Sequence, residues 1–283
     1  MAYSLLLILA VTGNSLVIAV IWKKRKSQTV INLFIFNMAI SDITTSVSAL
    51  PYRIQTVDGE LRWLRGTFCN VFCKLHTMVE NTSVVVSVVT LVVIAIERFV
   101  SVIYPFQRQK IDSKEKCFTA IALIWVISAV LSASWLIPTN YLSWLIIISF
   151  ITLVPFLLLT FTYGAIIVSL HRQKASLHLS SEIRRRRIKE NRRVTFMSLS
   201  IVLVFLVSWL MFTINQFIGP FLEISCNSQK LTKLHFTGEI LTFVYTAINP
   251  LVYFMFNEHY RRSILELLCL CRRSDRVSPA INW

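Results

Sequence analysis

The chain has 283 residues, of which 55% are apolar and only 15% charged, and its mean hydropathy is +0.64. A water-soluble domain of this length would carry more charge, so the composition points to a membrane protein. The formal net charge of +15 would suit a nucleic-acid partner, but the basic residues are spread between apolar runs instead of forming one patch, which argues against that class.

The first apolar run, Ala2–Trp22, has no charged residue, and its basic cluster "KKRK" follows it. A secretory signal carries positive charge ahead of its apolar stretch, so the run reads as a first transmembrane helix. Val30–Tyr52 is the second run and holds a single charge, Asp42, near its middle. The third is Asn81–Ile96, extended outward past Glu80 and inward to Glu97 and Arg98. Cys117 to Leu170 is uncharged for 54 residues, too long for one crossing of roughly 30 Å. Pro138-Thr139-Asn140 offers the break, giving spans Cys117–Pro138 and Tyr141–Leu170. Val194–Leu222 is charge-free, and Leu234–Phe256 carries only Glu239. These seven runs predict an all-α membrane protein, a seven-transmembrane helix bundle over residues 1–256 with a further segment over 257–283.

Basic residues set the orientation. If the amino terminus lies outside, the inner connections hold four, four and nine Lys or Arg, and the carboxyl-terminal segment five. The outer connections hold six in all, Arg53, Arg62, Arg65, Lys74, Lys230 and Lys233. The bias predicts an extracellular amino terminus and a cytoplasmic carboxyl terminus, with added attraction to the anionic inner leaflet.

Soluble-enzyme signatures are missing: the six glycines form no phosphate loop, and the five histidines have no metal-ligand spacing. The sequon Asn81-Thr82-Ser83 falls inside the third span and is discounted. What carries information is polar content at membrane depth, which costs about 2.5–3.5 kcal/mol per ionisable group on insertion scales. Glu80, Val84, Ser87, Leu91, Ile94 and Arg98 share one helix face. The 18 residues from Glu80 to Arg98 cover about 27 Å. Glu239, Thr242, Thr246, Asn249 and Tyr253 form a second stripe, and Phe205, Trp209, Phe212 and Gln216 a third. Interhelical hydrogen bonding explains a Ser87 or an Asn14. It accounts poorly for a lone Asp42 at mid-membrane, or for a Glu97-Arg98 pair at the rim.

In this order the motifs resemble the rhodopsin-like (class A) G-protein-coupled receptors over nearly the whole chain. They are "GNSLV" at Gly13-Asn14, "NMAISD" ending in Asp42, "IAIERFVSVIYPF" with Glu97, Arg98 and Phe99, and Trp125. Pro155 and Tyr163, "FLVSWLM" through Phe205 and Trp209, "NPLVY" at Asn249, Pro250 and Tyr253, and "FNEHYRR" of the short amphipathic eighth helix complete the set. The resemblance implies a receptor and not an enzyme. It implies a switch made of Glu97, Arg98, Tyr163, Asn249, Pro250 and Tyr253 that acts on a heterotrimeric G protein. An allosteric sodium ion near Asp42, Ser87 and Asn249, and palmitoylation of Cys269 and Cys271, belong to the same expectation, with no other cofactor or metal.

Several positions depart from the pattern. Met211 stands where the sixth helix usually has proline, Asn191 where an acidic partner for the arginine is usual, and Tyr245 at a usual polar sodium-site position. The second outer loop is essentially Thr139-Asn140 and has no cysteine to pair with Cys73, which leaves Cys69, Cys73 and Cys226 as disulfide candidates with no pairing fixed. The general look of the chain leans to the peptide-receptor branch. Glu80 and Glu239, with Trp209, Phe212 and Gln216, are the candidate ligand residues, and two outer carboxylates favour a cationic peptide group unless Lys74 or His76 neutralises one. An amine or lipid ligand, or an ion- or proton-translocating seven-helix protein relaying through Asp42, Glu80, Glu97 and Glu239, are the alternatives.

Overall fold

The computed structural model describes residues 2–23, 29–57, 67–104, 113–133, 141–175, 182–225, 228–256 and 258–267. The described residues form eight helices: α1 (Ala2–Lys23), α2 (Val30–Val57), α3 (Thr67–Ile103), α4 (Lys114–Ala133), α5 (Tyr141–Ala175), α6 (Glu182–Ser225), α7 (Ser228–Phe256) and α8 (Glu258–Leu267). α1 to α7 are each long and apolar enough to cross a membrane. A helix pairs its own backbone groups, which is what a lipid-embedded segment without water requires.

Two helices outrun their apolar cores. α3 starts at Thr67, well before the charge-free Asn81–Ile96 run, and α6 starts at Glu182, so the basic stretch "EIRRRRIKENRR" is helical ahead of the Val194–Leu222 run. Charge patterning marks where a helix leaves hydrocarbon, not where its hydrogen-bond ladder stops. The Pro138-Thr139-Asn140 break lies outside the described residues, between α4 and α5.

α3 is the axis of the bundle and packs against α2, α4, α5 and α6, while α1, α2 and α7 close one side and α6 meets α7. α4 and α5 turn large apolar side chains outward, among them Val130, Phe150 and Phe161, the last 74% exposed. Such a face suits lipid contact and would be untenable in water. Buried polar groups then fix the helix register. Trp125 of α4 donates its indole N–H to Asn37 Oδ1 at 2.8 Å, and Asn37 donates to Thr90 Oγ1 of α3 at 2.9 Å.

α1 and α7 fit together around Pro250. A Cβ on Gly13 would come within 2.9 Å of Pro250 Cγ, so only glycine lets the ring approach so closely. Pro250 has no N–H for the carbonyl of Thr246, four residues earlier. The neighbouring Asn14, fully buried, fills that vacancy by donating to Thr246 O at 3.0 Å and to its own Ala10 O at 2.9 Å. The "GN" of α1 thus complements the "NP" of α7.

α8 is amphipathic: Tyr260, Ser263 and Ile264 are buried, while Arg261 and Arg262 are exposed. Tyr260 meets Tyr253 edge to face with ring centres 6.3 Å apart, which ties α8 to the end of α7. Burial pushes the Tyr260 phenol above its ordinary pKa, so it stays neutral at this contact.

Candidate functional site

At the Glu80 end of the bundle a cavity of ≈ 390 Å³ opens between α2, α3, α6 and α7. Its upper wall carries charge and its floor is aromatic. Phe205, Trp209 and Phe212 come from the α6 stripe, with Trp209 edge to face on Phe212 at 5.5 Å and Phe205 edge to face on Tyr245 at 5.5 Å. The cavity continues past this floor to Ser87 and Thr246. The side chain of Gln216, the fourth residue of that stripe, lies outside what is described, and Met211 is exposed on the outer surface of α6.

Glu80 and Glu239 are both in the cavity wall, with His76 beside Glu80 and near enough to act on its charge. Arg53 of α2 lies between the two, with Nη1 3.2 Å from Glu239 Oε1 and Nη2 3.8 Å from Glu80 Oε1. Tyr3 of α1 donates to the other oxygen of Glu239 at 3.4 Å. Lys74 is exposed, and His76 Nε2 donates to the carbonyl of Ser48 at 2.6 Å. In the sequence Arg53 counted only as an outer basic residue. A signal was present, since Asp42, Ser46, Ala49 and Arg53 follow helical spacing and continue the polar face of α2 to its end.

Below the cavity lies Asp42, fully buried. Ser87 donates to its Oδ1 at 3.2 Å, and Asn249 donates to its Oδ2 at 2.8 Å. Ser41 joins the same group through Ser87 and donates to the carbonyl of Ser83 at 3.2 Å. Ser46 shares a hydrogen bond with Thr246 Oγ1 at 3.3 Å, so the polar core of α2 meets α7 at Thr246 and at Asn249, in the turn ahead of Pro250. Asn249 Oδ1 is buried and finds no hydrogen-bond partner among the described residues. Among those residues no basic side chain pairs with Asp42, so a buried carboxylate is served by two neutral donors. This donor set fits a small hard cation, because carboxylate, hydroxyl and amide oxygens are all at hand.

At the far end of the α3 stripe, Arg98 is 3% exposed. Successive helix residues point about 100° apart and do not normally face each other. Arg98 nevertheless curls back and donates from Nη2 to Glu97 Oε1 at 2.7 Å and from Nε to Oε2. Ser101, one turn on from Glu97, donates to the same Oε1 at 2.8 Å. The Glu97 carboxylate is thus held by two residues, and Ser101 was not singled out in the sequence. Tyr163 of α5 is buried. Tyr253 is buried as well, with its hydroxyl directed at Met38 Sδ of α2 at 3.7 Å, and it makes no bond to Arg98. The side chains of Glu190 and Asn191, and those of Cys69 and Cys73 in α3, are outside the described set, as are residues Cys226, Cys269 and Cys271.

The site therefore has three levels on shared helices: a charged cavity, a buried carboxylate node and an arginine latch. α2, α3 and α7 contribute to the upper two, and α3 carries the latch at its end.

The model of the "7 transmembrane receptor (rhodopsin family)" matches residues 13–143 and 137–253. Neuropeptide Y receptor type 6 of Oryctolagus cuniculus is 30% identical, over 95% of this chain and 80% of the relative. Neuropeptide FF receptor 2 of Mus musculus is 26% identical over 99% of this chain and 75% of its own length. A QRFP-like peptide receptor of Branchiostoma floridae is 27% identical over 98% and 78% respectively. Spans, stacked polar levels and sequence similarity agree over almost the whole chain, which belongs to the rhodopsin family of seven-transmembrane receptors.

Proposed function

We propose that this receptor binds a peptide with a cationic group from the extracellular side and passes the event to a heterotrimeric G protein in the cytoplasm. The observation that carries the reading is the cavity wall, where Glu80 and Glu239 approach one guanidinium, that of Arg53. A site that accommodates one planar cation between two carboxylates suits an arginine or a basic amidated peptide end. The relatives named for neuropeptide Y, neuropeptide FF and QRFP-like peptides lend support to a peptide ligand. The charge bias of the connections supports an outer amino terminus in the plasma membrane and an inner Arg98 end.

Glu97, Arg98, Tyr163, Asn249, Pro250 and Tyr253 form the switch in this reading. The Glu97–Arg98 latch is the resting arrangement, and Tyr253 leaves Met38 for Arg98 when α6 moves away. Sodium bound by Asp42, Ser87 and Asn249 would neutralise the buried carboxylate and hold the resting packing of α2, α3 and α7. The anionic inner leaflet binds the basic face of α8, with Cys269 and Cys271 as lipid attachment points.

The test is agonist-stimulated nucleotide exchange with purified receptor, G protein and a library of basic amidated peptides. Glu80→Gln should lower the potency of an active peptide about tenfold to a hundredfold at unchanged surface expression, the worth of a buried charged hydrogen bond. Peptide-independent ion flux through receptor vesicles, with no exchange, would replace this reading by a translocating one.

A further inference from the structure

We propose that Arg53 is the resting occupant of a guanidinium subsite formed by Glu80 and Glu239, and that a ligand's guanidinium gains the subsite by exchange with it. The inference rests on the peptide-receptor reading for its ligand and on geometry for its mechanism. One fork of Arg53 reaches both carboxylates, at 3.2 Å and 3.8 Å, from a third helix. Two carboxylates this close to one cation repel each other unless a positive charge stays between them. Arginine supplies that charge at every accessible pH.

The occupant is tethered but removable. Arg53 sits in the last turns of α2, past Pro51, and its side chain lines the cavity and is 31% exposed. Its long stem can carry the head outward into water while the backbone stays in place. The second oxygen of Glu239 is already engaged by Tyr3. An incoming cation that takes the same oxygen of each carboxylate displaces the Arg53 fork. A planar guanidinium reproduces that two-pronged bridge, and a point-like ammonium does not. Exchange also breaks a covalently anchored link between α2 and both α3 and α7, the helices that meet again at Asp42.

The experiment is thermal melting of the purified full chain, with ethylguanidinium chloride and ethylammonium chloride as probes at matched ionic strength. Arg53→Ala should melt below the wild type. Ethylguanidinium should raise its melting temperature with half-effect at about 1–10 mM, the range for so small a ligand. Ethylammonium should need at least about tenfold more, wild type should respond to neither, and Arg53→Ala with Glu80→Gln and Glu239→Gln should lose the response. If Arg53→Ala does not accumulate, Arg53→Gln, which keeps most of the stem, takes its place in the same titration. The proposal is overturned if the Arg53 variant ignores ethylguanidinium, responds equally to both salts, or behaves as the wild type does. Melting needs no agonist or G protein, so failed signalling with intact rescue would indict the receptor reading alone, and failed rescue in a signalling receptor would indict this inference alone.

Discussion

Asn14→Ala probes whether α1 completes the hydrogen bonding that Pro250 leaves unfinished. Asn14 is fully buried, and its amide lies 3.0 Å from the carbonyl of Thr246. Removing it strands that carbonyl, at a cost of about 1–3 kcal/mol. For a chain of this size each kcal/mol lowers the melting temperature by about 2 °C, so the expected loss is about 2–6 °C. Generic loss of packing could produce the same number, so the decisive variant is the double one. Pro250→Ala restores an N–H at position 250, which can pair with Thr246 O inside α7. In that background Asn14→Ala no longer strands an acceptor and should cost about 1 kcal/mol less. The assay is a double-mutant cycle of melting temperatures on purified receptor. Additivity within about 0.5 kcal/mol would refute the reasoning, because uncoupled sites behave that way.

The other expectations follow the same levels. Gly13→Ala places a methyl 2.9 Å from Pro250 Cγ and 3.0 Å from Pro250 Cβ and should destabilise by overpacking, about 1–3 kcal/mol; most of that should vanish in Pro250→Gly, which removes both atoms, read by the same melts. Glu97→Gln should raise ligand-independent nucleotide exchange, and Ser101→Ala should raise it less, since Ser101 only steadies the carboxylate that holds Arg98. Asp42→Asn should abolish any difference in melting temperature between sodium and choline buffers, whereas wild type should melt higher in sodium; equal melting of wild type in both would remove the ion from the account.

The spans were legible because lipid leaves a chain few choices: seven apolar runs, two of them with a single acidic residue, determine the crossings with little help from tertiary structure. The stripes were legible for the same reason, since polar residues at helical spacing have to face inward. Glu80, Trp209, Phe212 and Glu239 do line one cavity, and Asn249 does meet Asp42. What stayed hidden depends on reach and on backbone groups. Arg53 bridges two helices through a long side chain counted only as a loop-side charge. Asn14 serves a carbonyl 232 residues away, and a carbonyl leaves no letter in the sequence. Gly13 was noted as part of a motif, while its reason, the ring of Pro250, required the packed pair of helices.

The central claim is that the buried Arg98 and the α7 turn at Asn249–Tyr253 form a switch and are not merely packed polar residues. It is tested most directly by nucleotide exchange on purified G protein, normalised to ligand-binding sites, for wild type, Arg98→Ala and Tyr253→Phe. The account predicts that both variants bind ligand about as well as wild type and stimulate exchange at least about tenfold less, the effect of losing one buried charged hydrogen bond in the active arrangement. Exchange equal to wild type in both variants would contradict it, and would leave the Glu97–Arg98 pair and Tyr253 as interhelical packing alone.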